Sequence, residues 1–300
     1  MSQNRRSWLS AAAGVAALGS ALSPKSIAQD GDQEKAQPSA EFKGRIRQSV
    51  MGWCFNPMSA ADLARMGKKH GLVAIEGINS SHYPDVKALG LEISLVGSHG
   101  FAKGPIDTNN QDEVEATLRN SIDIAVEFGC PNVITFTGMR VPGMVDATAK
   151  RNCLDGWKRV IAYAEEKNIT LCLEHLNSRD DSHPMKGHPG YFGDNVDLCI
   201  ELIKQMDSPN FRLLFDIYHV QVMHGDVIRR IRELHPWIAH YHTAGNPGRC
   251  EIDENQEINY PPIMRAILET GYAGYVAQEF IPTWDDHEKS LAHAIQVCDV

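Results

Sequence analysis

From residue 46 to the last residue, apolar runs of strand length alternate with amphipathic stretches of helical period. The runs fall at about 47–55, 72–78, 92–99, 132–138, 170–177, 211–219, 238–245 and 274–280. The amphipathic stretches fall at about 59–70, 83–89, 111–128, 146–167, 194–206, 227–235, 260–270 and 286–297. Strands covered on both faces read as continuous apolar runs, and each needs a helical crossover to reach a parallel neighbour. Eight such units in strict alternation predict an α/β fold, a single closed (β/α)₈ barrel over 46–300. An open doubly wound sheet is the competing layout. Its usual glycine-rich phosphate turn after the first strand is missing here.

Punctuation agrees with the alternation. Ser59 is expected to cap the first helix and Asp194 the fifth. Gly71, Gly90, Gly129 and Gly271 follow helical stretches, where a left-handed C-cap residue is expected. The connections after strands are the long ones, at 100–110, 178–193 and 246–259. In a barrel they lie on the C-terminal face, where they would wall the active site.

The start of the chain reads differently. Arg5 and Arg6 precede an apolar stretch from about Leu9 to Leu22, and Ser26-Ile27-Ala28 offers a small-residue cleavage signal. Residues 1–28 are therefore expected to be a twin-arginine export signal, which places the mature protein in the periplasm. The stretch is too short and too rich in Ala and Gly for a good spanning helix, so no stable membrane anchor is expected after cleavage. Residues 29–45 are polar and predict a disordered tether. The whole chain carries −9, and the signal's only charges are Arg5, Arg6 and Lys25, so its removal leaves a still more acidic protein. That opposes a nucleic-acid partner, which needs a basic footprint. The seven cysteines show no metal spacing and read mostly as small buried thiols. The sequence leaves a homo-oligomer open.

Four successive strand runs end in a charged or metal-capable residue: Glu174 in TLCLEHLN, Asp216 in FRLLFDIYH, His242 in IAHYHTAG and Glu279 in GYVAQEF. Alternation puts Cys172 with Glu174, Leu214 with Asp216, His240 with His242 and Ala277 with Glu279 on the inward face. A lone buried carboxylate is costly unless paired or bound to metal. The four are therefore read as ligands of one divalent metal, with a metal-free buried ion-pair network as the plain alternative. The oxygen-rich set suits Mn²⁺ or Mg²⁺ best, with Co²⁺ and Zn²⁺ also compatible. Glu174 and Glu279 would in addition be the catalytic pair. One removes a proton beside a carbonyl and the other returns it to the neighbouring carbon, through an enediolate. Which acts first stays open.

Further residues are read as substrate-binding. His219 stands three residues after Asp216, and Arg249 could fork onto a carboxylate or hydroxyl pair. Asn177, His188 and His99 are read as lining the site. Glu76 is read either as a substrate contact or as a satisfied core group, and Glu251 and Glu257 either as an acidic rim or as functional. Trp53 and Phe101 either wall the pocket or pack.

The segments LCLEHLN, LLFDIYHVQ, HYHTAGNPGRCEID, QEINYP and GYVAQEF resemble the hydroxypyruvate isomerase family of the xylose-isomerase-like barrels, over about residues 46–284. The resemblance implies a divalent metal and conversion of hydroxypyruvate to tartronate semialdehyde. It matches Glu174 and Glu279 to the acid–base pair, Asp216 and His219 to the strand-six motif, and Arg249 to the NPGR loop. His242 stands where that family often carries glutamine, and looks more like the metal ligand of the ketose 3-epimerases. With the export signal, this keeps an exported sugar or keto-sugar epimerase, isomerase or lyase as the alternative, so the partner is a small keto acid or sugar. A hydrolytic metalloenzyme and a non-catalytic ligand-binding protein are the remaining classes. Acidity and the export signal oppose the first, and two glutamates facing one metal oppose the second.

Overall fold

A computed structural model describes residues 42–300; the expected export signal, and the tether as far as residue 41, lie outside the described residues. The strands are β1 (Arg47–Val50), β2 (Ala74–Ile75), β3 (Glu92–Ile93), β4 (Asn132–Thr135), β5 (Thr170–Glu174), β6 (Phe211–Asp216), β7 (Ile238–Thr243) and β8 (Tyr275–Gln278). The helices are α1 (Ala60–Lys69), α2 (Tyr83–Ala88), α3 (Gln111–Phe128), α4 (Asp146–Lys158), α5 (Ile161–Lys167), α6 (Val196–Met206), α7 (Ile217–Met223), α8 (Val227–Leu234), α9 (Tyr260–Glu269) and α10 (His287–Cys298).

Six strands pair in parallel in the order β1-β8-β7-β6-β5-β4, and β2 pairs in parallel with β3. Single bridges join the two groups, Met51 to Glu76 at one seam and Val96 to Val133 at the other. Hydrogen bonds from Gly52 N to Glu76 O (2.7 Å) and from Val96 N to Asn132 O (2.9 Å) complete the ring. This is the expected (β/α)₈ barrel, with β2 and β3 much shorter than their apolar runs. β2 stops because the chain turns at Gly77, whose φ of 63° is left-handed. A Cβ there would lie 1.9 Å from the Met51 sulfur, so only glycine fits.

Alternation divides the core. Inside the ring Leu95, Ile134, Cys172, Leu176, Tyr191 and Leu214 pack together. Leu171, Leu173, Leu213 and Phe215 point the other way and join the larger layer under the helices. Trp157 of α4 is fully buried there, its ring centroid 4.8 Å from that of Phe211, and its Nε1 donates to Thr135 Oγ1 (3.0 Å). Six of the seven cysteines are buried, as expected of small core thiols.

Several local expectations change. The stretch 146–167 forms two helices, because Val160 leaves helical geometry (φ −124°) while burying its side chain. Ser59 caps α1 as expected, but α6 is capped by Asn195, whose Oδ1 accepts from Asp197 N at 2.8 Å. Asp194 instead accepts from Ser178 Oγ (2.6 Å). The run 211–219 is strand only to Asp216, which then caps α7 by accepting from His219 N (3.0 Å). At the start, Lys43 N and Gly44 N donate to the Asp299 carboxylate (2.6 and 2.8 Å), so those two residues of the expected tether are tied to the chain's other end. Among the described residues no helix is long and apolar enough to cross a membrane.

Candidate active site

The parallel ladder brings four strand ends to one point. Asp216 pairs in register with His242, and Glu279 N donates to Thr243 O (2.9 Å), which carries the β7–β8 ladder one residue past β8. Glu174, Asp216, His242 and Glu279 are all buried, and one donor atom of each lies within 4.8 Å of the others. His242 Nδ1 is 2.7 Å from Glu279 Oε2 and 3.2 Å from Glu174 Oε1. The Arg249 guanidinium approaches from the loop after β7, with Nη2 2.6 Å from Glu279 Oε2 and 3.4 Å from Asp216 Oδ2.

Burial works against charge at this point and the neighbours answer it unequally. Burial raises the Glu174 carboxyl above its ordinary range. It pushes Asp216 up to about 7 against the pull of Arg249. At Glu279 burial also acts upward, but Arg249 and His242 outweigh it and hold the carboxyl down at about 2. For His242 burial favours the neutral ring, and the surrounding carboxylates, Glu279 first, overcome it and raise the imidazole.

The residues fit a divalent cation. Three carboxylates and an imidazole are a hard-to-borderline donor set. Glu174 Oε1 and His242 Nδ1 are buried and face each other at 3.2 Å, with Nδ1 2.7 Å from Glu279 Oε2, but without the alignment of a hydrogen bond, so these donor atoms converge on one point rather than satisfying one another. A cavity of about 220 Å³ opens on Glu174 and Glu279. Leu95, Ile134, Phe136 and Leu176 form its apolar wall, with Trp53 and Phe101 also lining it.

A protein-family model described as a xylose isomerase-like TIM barrel matches residues 85–299. The chain belongs to that family. A Drosophila melanogaster relative with the provisional name hydroxypyruvate isomerase is 32% identical over 237 residues, covering 75% of this chain and 86% of the relative. A human protein of the same provisional name is 28% identical over 183 residues, covering 58% of this chain and 64% of its own length. A 2-oxo-tetronate isomerase of Cupriavidus necator is 30% identical over 174 residues, covering 56% of this chain and 63% of its own. Among solved structures, a Brucella melitensis family 2 AP endonuclease superposes with TM-score 0.70 at 22% identity, covering 82% of this chain and 97% of that one. The Escherichia coli 3-keto-D-glucoside 4-epimerase does so with TM-score 0.69 at 15% identity, covering 83% and 97%. At those identities the superpositions speak for the fold.

Within this family barrel the expected substrate residues hold different stations. Arg249 is buried, donating through Nη1 to the Met185 carbonyl as well as pairing with Glu279. His219 Nδ1 accepts from Asn177 N (3.1 Å), so the neutral ring keeps its proton on Nε2, 3.6 Å from Asp216 Oδ2 and without a hydrogen-bond partner. Burial, with Arg249 next, holds that imidazole neutral. His188 lines the cavity with its ring 3.9 Å from Phe101. His99 also lines it, but both ring nitrogens are engaged, with Lys103 O (2.8 Å) and Thr135 Oγ1 (2.9 Å). Asn177 lies behind the cavity wall and organises the loop after β5. Its Nδ2 donates to Lys186 O (2.7 Å), and its Oδ1 accepts from Asp180 N (3.0 Å).

Sequence reasoning left two groups that matter here without a settled role. Glu76 and His240 lie inside the ring beneath His242, where only a polar residue on an inward strand position betrays them. Glu251 is buried as well, and its carboxylate ties the loop after β7 to residues 283–290. Glu257 stays at the exposed rim, accepting from Gln221 Nε2 (3.1 Å).

Proposed function

We propose that this chain is an isomerase that moves a proton between adjacent carbons of a small keto acid or sugar. Hydroxypyruvate, giving tartronate semialdehyde, is the first candidate. The observation that carries the proposal is the meeting of Glu174 and Glu279 at one buried point beside His242, facing the cavity. The names of the relatives support the isomerase class.

Glu174, Asp216, His242 and Glu279 would hold a divalent cation, Mn²⁺ or Mg²⁺ first from the oxygen-rich set. Bound there, it would act as a Lewis acid on a neighbouring carbonyl and hydroxyl. The chain's own groups supply the proton movements. Of Glu174 and Glu279, which meet beside His242, one takes the proton from the hydroxyl-bearing carbon. The other returns a proton to the adjacent former carbonyl carbon, while the hydroxyl proton passes to the former carbonyl oxygen, so that the carbonyl and hydroxyl exchange places. His219 is not part of the cavity lining and would act on Asp216, 3.6 Å from its Nε2, while the apolar wall keeps water from the intermediate.

A second reading, epimerisation of a ketose or keto sugar, is favoured by His242 as the imidazole member of the four and would use the same two glutamates. The export motif around Arg5 and Arg6 supports action in the periplasm. The test is turnover by chelator-stripped protein before and after Mg²⁺ or Mn²⁺ is restored, with hydroxypyruvate and with a panel of ketoses and 3-keto sugars. Cation-dependent formation of tartronate semialdehyde is expected. Conversion confined to the sugars would transfer the function to epimerisation, and no conversion of any of them would reject the isomerase.

A further inference from the structure

Glu76 is not used in the chemistry above, yet its buried carboxylate is closely attended. His242 Nε2 lies 2.8 Å from Oε1, and His240 Nε2 lies 2.9 Å from Oε2. Ser94 Oγ donates to Oε2 at 2.5 Å, and Ser49 Oγ does so at 3.3 Å. A buried carboxylate with that company persists because its lone pairs are met. At 2.8 Å from an anionic oxygen, His242 Nε2 must carry a proton, since two lone pairs would repel. Nδ1 faces Glu174 and Glu279, 2.7 Å from Glu279 Oε2, and by the same rule it shares a proton with them; a cation held by those carboxylates would take the place of that proton and accept the Nδ1 lone pair, with Nε2–H still donating to Glu76.

We propose that Glu76 is the positioning residue of the cation site, fixing the tautomer and ring orientation of His242 so that Nδ1 is presented to the metal. The inference rests on the cation reading given above. His240, Ser49 and Ser94 hold Glu76 in turn, which makes a carboxylate–imidazole–cation relay running outward from the barrel interior. A different use of the same groups is a second cation among Glu76, His240 and His242, whose donor atoms also lie within 4.8 Å of one another. With its single lone pair on Nδ1, His242 cannot serve that point, which leaves two ligands. One cation per chain is therefore expected.

The test is calorimetric titration of the metal-free full chain with Mn²⁺, comparing the unaltered protein with Glu76→Gln. Glutamine keeps the volume but offers one acceptor oxygen in place of two. Outer partners of metal-bound histidines typically contribute roughly 10–100-fold in affinity, and a weakening of that size at one site is expected, with circular dichroism unchanged. Equal affinity in both proteins would overturn the role of Glu76 alone, and two cations per chain would overturn it in favour of the second site. Failure of the unaltered protein to bind Mn²⁺ would reject the cation reading itself. Nitrogen NMR of histidine-labelled, Mg²⁺-loaded protein tests the tautomer without any substitution. A proton on His242 Nε2 and none on Nδ1 is expected, and the reverse would refute the proposal.

Discussion

Replacing Glu251 with glutamine tests how the loop that carries Arg249 is held. Oε1 of Glu251 accepts from Thr283 N (2.7 Å), Trp284 N (3.0 Å) and Ser290 Oγ (2.9 Å). Oε2 accepts from Thr283 Oγ1 (2.7 Å). Glutamine can place its oxygen at Oε1, but it loses the charge. Hydrogen bonds to charged groups contribute about 1.5–3 kcal/mol and neutral ones about 0.5–1.5, so each of the three weakens by about 1 kcal/mol. Donors sharing one oxygen do not add fully, and the expected loss is about 2 kcal/mol. Urea unfolding should show it as a lower midpoint at unchanged slope. The carboxyl offers a check by pH. Burial raises it, but Thr283 and Trp284 outweigh burial, and its value in the folded protein lies below the ordinary one. Its contribution is therefore present above the unfolded carboxyl's pKa and is lost as pH falls through the lowered folded value. The difference between the unaltered protein and the Glu251→Gln variant should shrink in that acid range. A midpoint change worth less than about 0.5 kcal/mol near neutrality would refute the latch.

Three further outcomes test the site and the export reading. Glu174→Gln should abolish turnover without lowering the unfolding midpoint of the metal-free protein, because it removes a carboxylate that burial disfavours; a strongly destabilised variant would contradict this. Mg²⁺ at about a hundred times its Kd should stabilise by roughly 2.7 kcal/mol, about 5–10 °C in Tm for a domain of this size, and calorimetry showing no shift would count against the site. Arg5→Lys together with Arg6→Lys should leave the protein in the cytoplasm on cell fractionation, and continued export would reject the twin-arginine reading.

The barrel was legible because its signal is repetitive: eight runs and eight amphipathic stretches must all agree. The four strand-end residues were legible for a related reason, since alternation assigns Glu174, Asp216, His242 and Glu279 to the inside without any knowledge of contacts. Pairwise geometry was not legible. Periodicity could not say that the ring nitrogens of His99 are taken by Lys103 and Thr135, or that the Asn177 side chain faces the backbone of its own loop. Glu76 was ambiguous for a similar reason, because its partners His240 and His242 lie far along the chain and meet it only when the ring closes. The apolar run 211–219 overshoots the end of β6 at Asp216 because Ile217, Tyr218 and Val220 suit a strand as well as the helix they form. The cap that Asp216 supplies decides between them.

The central claim is transfer of a carbon-bound proton by two buried glutamates. Its most direct test is solvent exchange in D₂O, with Mg²⁺-loaded protein, hydroxypyruvate and proton NMR. The account predicts cation-dependent deuterium at the carbon next to the carboxylate in tartronate semialdehyde, lost in Glu174→Gln and in Glu279→Gln. Product formed without deuterium, or deuterium uptake that persists in both variants, would contradict it.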